Sequence, residues 1–174
     1  MHQKLGYPIL FIASIAIFTV IESCHEKTGK TDAGLLSDTL ATIPAYKPED
    51  CDLLLFKAYE KSDWEAVGNL YETGAVFVLR SYNTITGREA IKKMHASNAG
   101  LRFTNLGIRT VYNTDSTIAT TQSRYAYTYK DSTGKITSDT SLSLEVLRRQ
   151  KDHTWRFVID DPDGGLRIQI PPGK

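Results

Sequence analysis

The sequence predicts an α+β domain, with three helices first and a mainly antiparallel sheet after them. Three observations lead there. Apolar residues recur at three- and four-residue spacing between Pro48 and Ser97, the period of an amphipathic helix. Two Ser/Thr-x-x-Glu signatures, Ser62 to Glu65 and Thr86 to Glu89, read as capping boxes. From Leu101 onward the pattern turns to period two, with turn residues between the runs. A length of 174 residues suits one such domain with appendages, and 41% hydrophobic content supports one core.

The first helix is expected over Pro48–Lys61. Pro48 suits a first turn, and Glu49 and Asp50 sit at the positive end of the helix dipole. Cys51, Leu54, Leu55, Ala58 and Tyr59 form its apolar stripe, widened by Leu53 and Phe56. Ser62 opens the second helix, which carries Trp64, Val67, Leu70 and Tyr71 inward and ends at Thr73-Gly74. Ala75 to Leu79 is a continuous β-prone run, hence a buried strand, and residues 81–84 form a loop. Thr86 opens the third helix, which turns Ala90, Ile91, Met94 and His95 to one side. Long strands follow over Leu101–Tyr112, with a kink at Gly107, then Thr117–Lys130, Ile136–Arg149 and Trp155–Asp160. Asp131-Ser132-Thr133-Gly134 is a hairpin signal. Leu166 to Ile170 could add an edge strand. Trp64, Phe77 and Trp155 are expected to be largely buried.

The N-terminus reads differently. Lys4 precedes an apolar run from Ile9 to Ile21, the length of a signal h-region and short for a spanning helix. Ile21-Glu22-Ser23-Cys24 resembles a bacterial lipobox, with Glu22 departing from the usual small or apolar residue. The expected organisation is a signal peptide over 1–23 and a lipidated Cys24 heading a polar tether over 24–47. A domain over 48–164 and a tail over 165–174 follow. That places the protein in the bacterial cell envelope, extracytoplasmic and membrane-anchored. Ordinary secretory cleavage or a retained anchor are the alternatives. A Cys24–Cys51 disulfide is a further one that lipidation would exclude. Charge is balanced, with 21 Lys plus Arg against 20 Asp plus Glu, so nothing points to a nucleic-acid partner. No Cys/His spacing suggests a metal, and no Gly-rich loop or nucleophile elbow suggests a cofactor.

In order along the chain stand Asp63-Trp64, Ala75-Val76-Phe77-Val78, Gly87-Arg88-Glu89-Ala90-Ile91 and Trp155-Arg156-Phe157-Val158 before Asp160. Together they resemble the SnoaL-like, or nuclear transport factor 2-like, superfamily over roughly Glu49–Gly164. The resemblance implies a cone-shaped domain, with three N-terminal helices packed on a curved sheet and a cavity at the open end. The superfamily includes ketosteroid isomerase, whose base and helix tyrosine would align with Leu79 and Leu55. Leucine can neither take a proton nor donate a hydrogen bond. The sequence therefore leans away from an enzyme and assigns no catalytic residue.

Four residues are candidates for contact with a ligand. His95 faces inward on the third helix, where imidazole can bind or act as a base; its plain alternative is a hydrogen-bonded core histidine. Tyr125 and Tyr127 alternate with Tyr129 on one strand face, as pocket donors or as cross-strand packing. Asp160, at the end of the last strand, is a ligand contact at a cone mouth or part of a solvated turn with Asp161 and Asp163. Arg80 could pair with Asp160. The expected partner is a small, partly apolar molecule held without established catalysis. The rivals are an isomerase, cyclase or dehydratase using His95, Asp160 and a tyrosine, and an assembly module whose cavity is filled by side chains. A homodimer is expected through the outer sheet face carrying Thr120, Gln122 and Arg124.

Overall fold

The computed structural model describes residues 43–167. The signal segment, Cys24, most of the tether and the end of the tail lie outside the described residues. Helix α1 spans Pro48–Lys61, α2 Trp64–Asn69 and α3 Arg88–Ser97; a short α4 follows at Gly164–Arg167. Strands are β1 Tyr71–Val78, β2 Thr84–Thr86, β3 Arg102–Tyr112, β4 Ile118–Lys130, β5 Ile136–Leu142, β6 Leu144–Arg149 and β7 Trp155–Asp161. They form one curved sheet in the order β2-β1-β7-β6-β4-β3, with β5 also on β4. Only the β1–β7 pair is parallel.

Several boundaries depart from the sequence expectation, each for a local reason. Ser62 does not cap α2. It closes α1 in the left-handed conformation (φ 55°), and the neighbouring Asp63 carboxylate takes the Ala66 N–H at 2.9 Å instead. Helix α2 stops at Asn69, so Tyr71 belongs to β1, whose carboxyl-terminal half pairs with β2, a short strand the sequence reading does not assign. Thr86 does not cap α3 either. Gly87 does, at φ 97°, a conformation that disfavours side chains, while its N–H bonds the Ala75 carbonyl at 2.8 Å. The expected strand Ile136–Arg149 breaks at Ser143, where the chain moves from one half of β4 to the other. Leu166 and Arg167 are helical, not part of an edge strand. The bulge at Gly107 is present between Asn105 and Gly107 of β3.

The core lies between α1, α3 and the concave sheet face. Val67, Tyr71, Ile91, Leu147 and Phe157 are wholly buried, as is Cys51, whose thiol burial pushes well up. Phe77 and Trp155 are buried as expected, whereas Trp64 is only half-buried, its ring edge-on to Tyr59 at 5.2 Å. Ala45 is also buried and its carbonyl takes the Trp155 N–H at 2.7 Å, so the packed chain begins before Pro48. On the outer face of β4, Arg124 is exposed and Thr120 and Gln122 are half-buried.

Candidate functional site

Between the helices and the curved sheet lies a cavity of about 390 Å³, within the usual size range of small-molecule sites. Its walls are apolar: Leu55, Phe56, Phe77, Leu79, Leu101 and Phe103. Arg80 and Asn98 are exposed at its rim. Its deep end is acidic, formed by Asp52, Glu145 and Asp160. The cone is therefore not filled by side chains.

Each acid is placed by a simple local rule. Asp52 shares the inner face of α1 with Leu55, Phe56 and Tyr59, at helical spacing. Glu145 alternates inward with Leu147 along β6, in step with the buried Ser143 just before the strand. Asp160 needs a bulge. Leu147 pairs with Phe157 but Val146 pairs with Ile159, so Val158 is an extra residue in β7. Period two from Trp155 and Phe157 would turn Ile159 inward. The extra residue leaves Ile159 40% exposed and brings Asp160 inward, directly opposite Glu145.

His95 joins this acid end through two tyrosines. Tyr59 Oη is 2.7 Å from His95 Nδ1, Tyr71 Oη is 2.8 Å from His95 Nε2, and Tyr71 donates to Asp160 Oδ2 at 2.5 Å. Counting protons fixes the tautomer. Tyr71 has one proton and gives it to Asp160, so His95 must donate from Nε2 to Tyr71 Oη. Nδ1 is then the acceptor for Tyr59. The chain of donors runs Tyr59, His95, Tyr71, Asp160. Burial holds His95 neutral by lowering its pKa to about 3. Burial pushes Asp160 up to about 6, and the Tyr71 hydroxyl pulls it back toward the ionised form. Asp52 rises to about 8, first through burial and then through the Asp160 charge; a hydrogen bond to Glu145 partly opposes this. Glu145 also rises well above the ordinary carboxyl range through burial and its two acidic neighbours, although the Thr121 hydroxyl donates to it at 2.6 Å.

All four sequence candidates line this cavity. His95 and Asp160 meet at its deep end through Tyr71, while Tyr125 and Tyr127 stand toward the mouth. Tyr125 is buried, donates to the Pro162 carbonyl at 3.0 Å and packs on Phe56 and Phe103. Tyr127 is half-buried between Tyr125 and Tyr129. The solvated-turn alternative for the terminal acids is overturned: Asp160 and Asp163 are both buried. Arg80 pairs with Asp163, not Asp160, through two contacts of 3.0 and 3.1 Å. Leu55 and Leu79 both line the cavity and add to its apolar wall. Sequence reading missed Asp52, Glu145, Tyr59 and Tyr71 as site residues. Asp52 was hidden in an acidic first turn, although its spacing to Leu55 and Tyr59 carried the signal. Tyr71 was assigned to a helix that ends before it. Among the described residues, no group of three His, Cys, Asp or Glu is placed to hold a metal ion.

No family model matches the chain, and no curated protein matches its sequence. Solved structures do match its fold. A putative dehydratase from the nuclear transport factor 2-like family of Streptomyces avermitilis superposes with a TM-score of 0.56 at 15% identity, over 65% of this chain and 89% of that one. A ketosteroid isomerase-like protein from Erwinia carotovora atroseptica gives 0.55 at 19% identity, again over 65% and 89%. A putative calcium/calmodulin dependent protein kinase II association domain from Xanthomonas campestris gives 0.55 at 18%, over 65% and 83%. The chain thus shares the fold of nuclear transport factor 2-like proteins, a frame that carries different roles.

Proposed function

We propose that the domain binds a small, partly apolar molecule in this cavity. The apolar part lies against Phe77, Leu79, Leu101 and Phe103, and a polar group reaches the acidic end. One observation carries this reading: an apolar-walled cavity of about 390 Å³ ends on buried carboxyl groups, and Asp52 Oδ2 has no hydrogen-bond donor. A buried polar atom without a partner costs about 1–3 kcal/mol, which a bound molecule can offset.

A second reading, an isomerase-, cyclase- or dehydratase-type enzyme, is favoured by the link from His95 through Tyr71 to Asp160. Acid–base chemistry needs groups whose environments push their pKa values apart. At pH 7 Asp160, at about 6, is mostly ionised and can accept a proton; Asp52, at about 8, is mostly protonated and can donate one. His95, with both ring nitrogens occupied, orients Tyr71 and does not itself take the proton.

A thermal-shift screen of small apolar compounds on the purified protein, paired with turnover assays including a Δ5-3-ketosteroid, tests both. Several compounds should raise Tm. Leu79→Trp, which fills the cavity, should abolish the shifts. Turnover lost in Asp160→Asn with the shifts retained would establish the enzyme; shifts without turnover leave a binder. No shift with any compound would end both readings.

We further propose that the domain works outside the cytoplasm, tethered by acyl chains on Cys24, on the strength of the segment Ile21–Cys24. Cys24→Ala should move the protein out of the membrane fraction. Metabolic labelling with an alkyne palmitate that leaves the wild type unlabelled would rule this out.

A further inference from the structure

The cavity's deep end holds three acids from three elements: Asp52 on α1, Glu145 on β6 and Asp160 on β7, exposed by only 3%, 2% and 4%. Among the described residues no basic side chain forms an ion pair with them. Among the described residues the ion pairs join Arg80 to Asp163, Lys92 to Glu65 and Glu89, and Arg148 to Glu72. Hydroxyls supply part of what is missing. Thr121 donates to Glu145 and Tyr71 to Asp160. The Asp52 carboxyl also meets that of Glu145, yet its Oδ2 has no hydrogen-bond partner and is closed to water. Buried acids without a cation are costly, and folds keep them paired.

The surroundings specify what could complete the set. Phe56, Tyr59, Phe77, Phe103, Tyr125 and Tyr127 line the same cavity. Aromatic faces attract a cation when water is excluded. We propose that the cavity selects a small organic cation: a primary or secondary amine on an apolar skeleton, its ammonium group among Asp52, Glu145 and Asp160 and its skeleton on the aromatic walls. This rests on the ligand-binding reading above and names its ligand class. The chemistry of the donors separates the amine from its rivals. A primary ammonium brings up to three N–H donors and a positive charge to a place rich in acceptors. A neutral carbonyl can accept from a protonated carboxyl but brings no positive charge to answer the ionised Asp160. A ligand carboxylate would add a fourth acid.

One consequence distinguishes a bound cation from simple apolar docking. Burial, and then the Asp160 charge, hold Asp52 mostly protonated at pH 7 in the empty cavity, with a pKa of about 8, and burial with the Asp52 and Asp160 charges shifts Glu145 in the same direction. A positive charge beside them favours their ionised forms. Binding an amine should therefore release protons, whereas binding a neutral analogue should not. The other titratable groups near the acids, Cys51, Tyr59, Tyr71, His95 and Tyr125, are held neutral by burial and do not supply these protons at pH 7.

The test is calorimetric titration of the purified full-length protein with 2-phenylethylamine, 2-phenylethanol and phenylacetate at pH 7, in two buffers of different ionisation enthalpy. The amine should bind at least about tenfold more tightly than the alcohol, with proton release, and phenylacetate more weakly than either. Asp52→Asn keeps the shape and removes the charge. It should reduce amine affinity by about tenfold and leave the alcohol little changed; Glu145→Gln, with an unfolding melt to confirm folding, repeats the measurement on a second strand. An alcohol that binds as tightly as the amine, or an amine that binds without releasing protons, overturns the cation while leaving the cavity a ligand site. If none of the three binds, and the protein behaves as Leu79→Trp does, both readings fall.

Discussion

Replacing Phe157 by alanine should cost the fold about 3–5 kcal/mol. Phe157 is wholly buried on β7, which lies between β1 and β6 in the middle of the sheet. Its ring packs on Tyr71 at a centroid distance of 5.0 Å, and its backbone N–H bonds the Leu70 carbonyl at 2.8 Å. Strands hydrogen-bonded on both sides cannot close over the space left, so the cavity term adds to the lost transfer free energy. Urea unfolding should show a lower midpoint with an unchanged slope, the signature of stability lost without a change in the surface exposed. Trp64→Ala is the control. Trp64 is the larger residue but only half-buried, so its loss should cost less. A Trp64 effect larger than the Phe157 effect would mean that the core is centred on α2 and not on β7.

That contrast also marks where the sequence was legible. Periodicity located α1 and β4 because each buries one continuous face, and a single face leaves a plain period in the residues. It misplaced Trp64 because hydrophobicity alone does not say which side of a six-residue helix is covered. It misplaced Tyr71 because a helix and a following strand give overlapping apolar patterns across a junction as short as Leu70. Both Ser/Thr-x-x-Glu signatures marked helix starts, yet neither Ser62 nor Thr86 caps: Asp63 and Gly87 hold those positions.

The site shows the same division. His95 and Asp160 could be singled out as lone titratable residues near an inner face. Their connection through Tyr71 could not, because it depends on the extra residue at Val158, and a bulge has no signature in that run of apolar residues. Glu145 and Asp52 were invisible for a more general reason. An acid in a strand or in a first helical turn is solvated in most folds, and only the assembled cone removes these two from water.

Stability should fall as pH rises from about 6.5 to 8, and Asp52→Asn should remove much of that fall. The sign follows from proton binding. Asp52 has an ordinary pKa near 3.8 and a folded value of about 8. Between those values the folded chain holds a proton that the unfolded chain has released, so each rise in pH favours unfolding. Each pH unit in that window is worth about 1.4 kcal/mol per group, so Asp52 contributes on the order of 5 kcal/mol across it. Glu145, raised by the same burial and by Asp52 itself, acts in the same direction. Asp160 adds to it only up to about 6. His95 works oppositely: its folded pKa falls to about 3 from 6.5, so its contribution is complete above 6.5 and is lost as pH drops toward 3. The two slopes oppose each other below 6.5, and only the acids remain above it. Asparagine at position 52 cannot ionise, and its neutral amide also relieves Glu145. Urea midpoints at pH 5, 6.5 and 8 should therefore give a declining series for the wild type and a flatter one for Asp52→Asn. The variant should be more stable by on the order of 3–5 kcal/mol at pH 8 and close to the wild type at pH 5. Parallel profiles would mean that Asp52 reaches water in solution, and the acidic end of the cavity would then be open where the structure closes it.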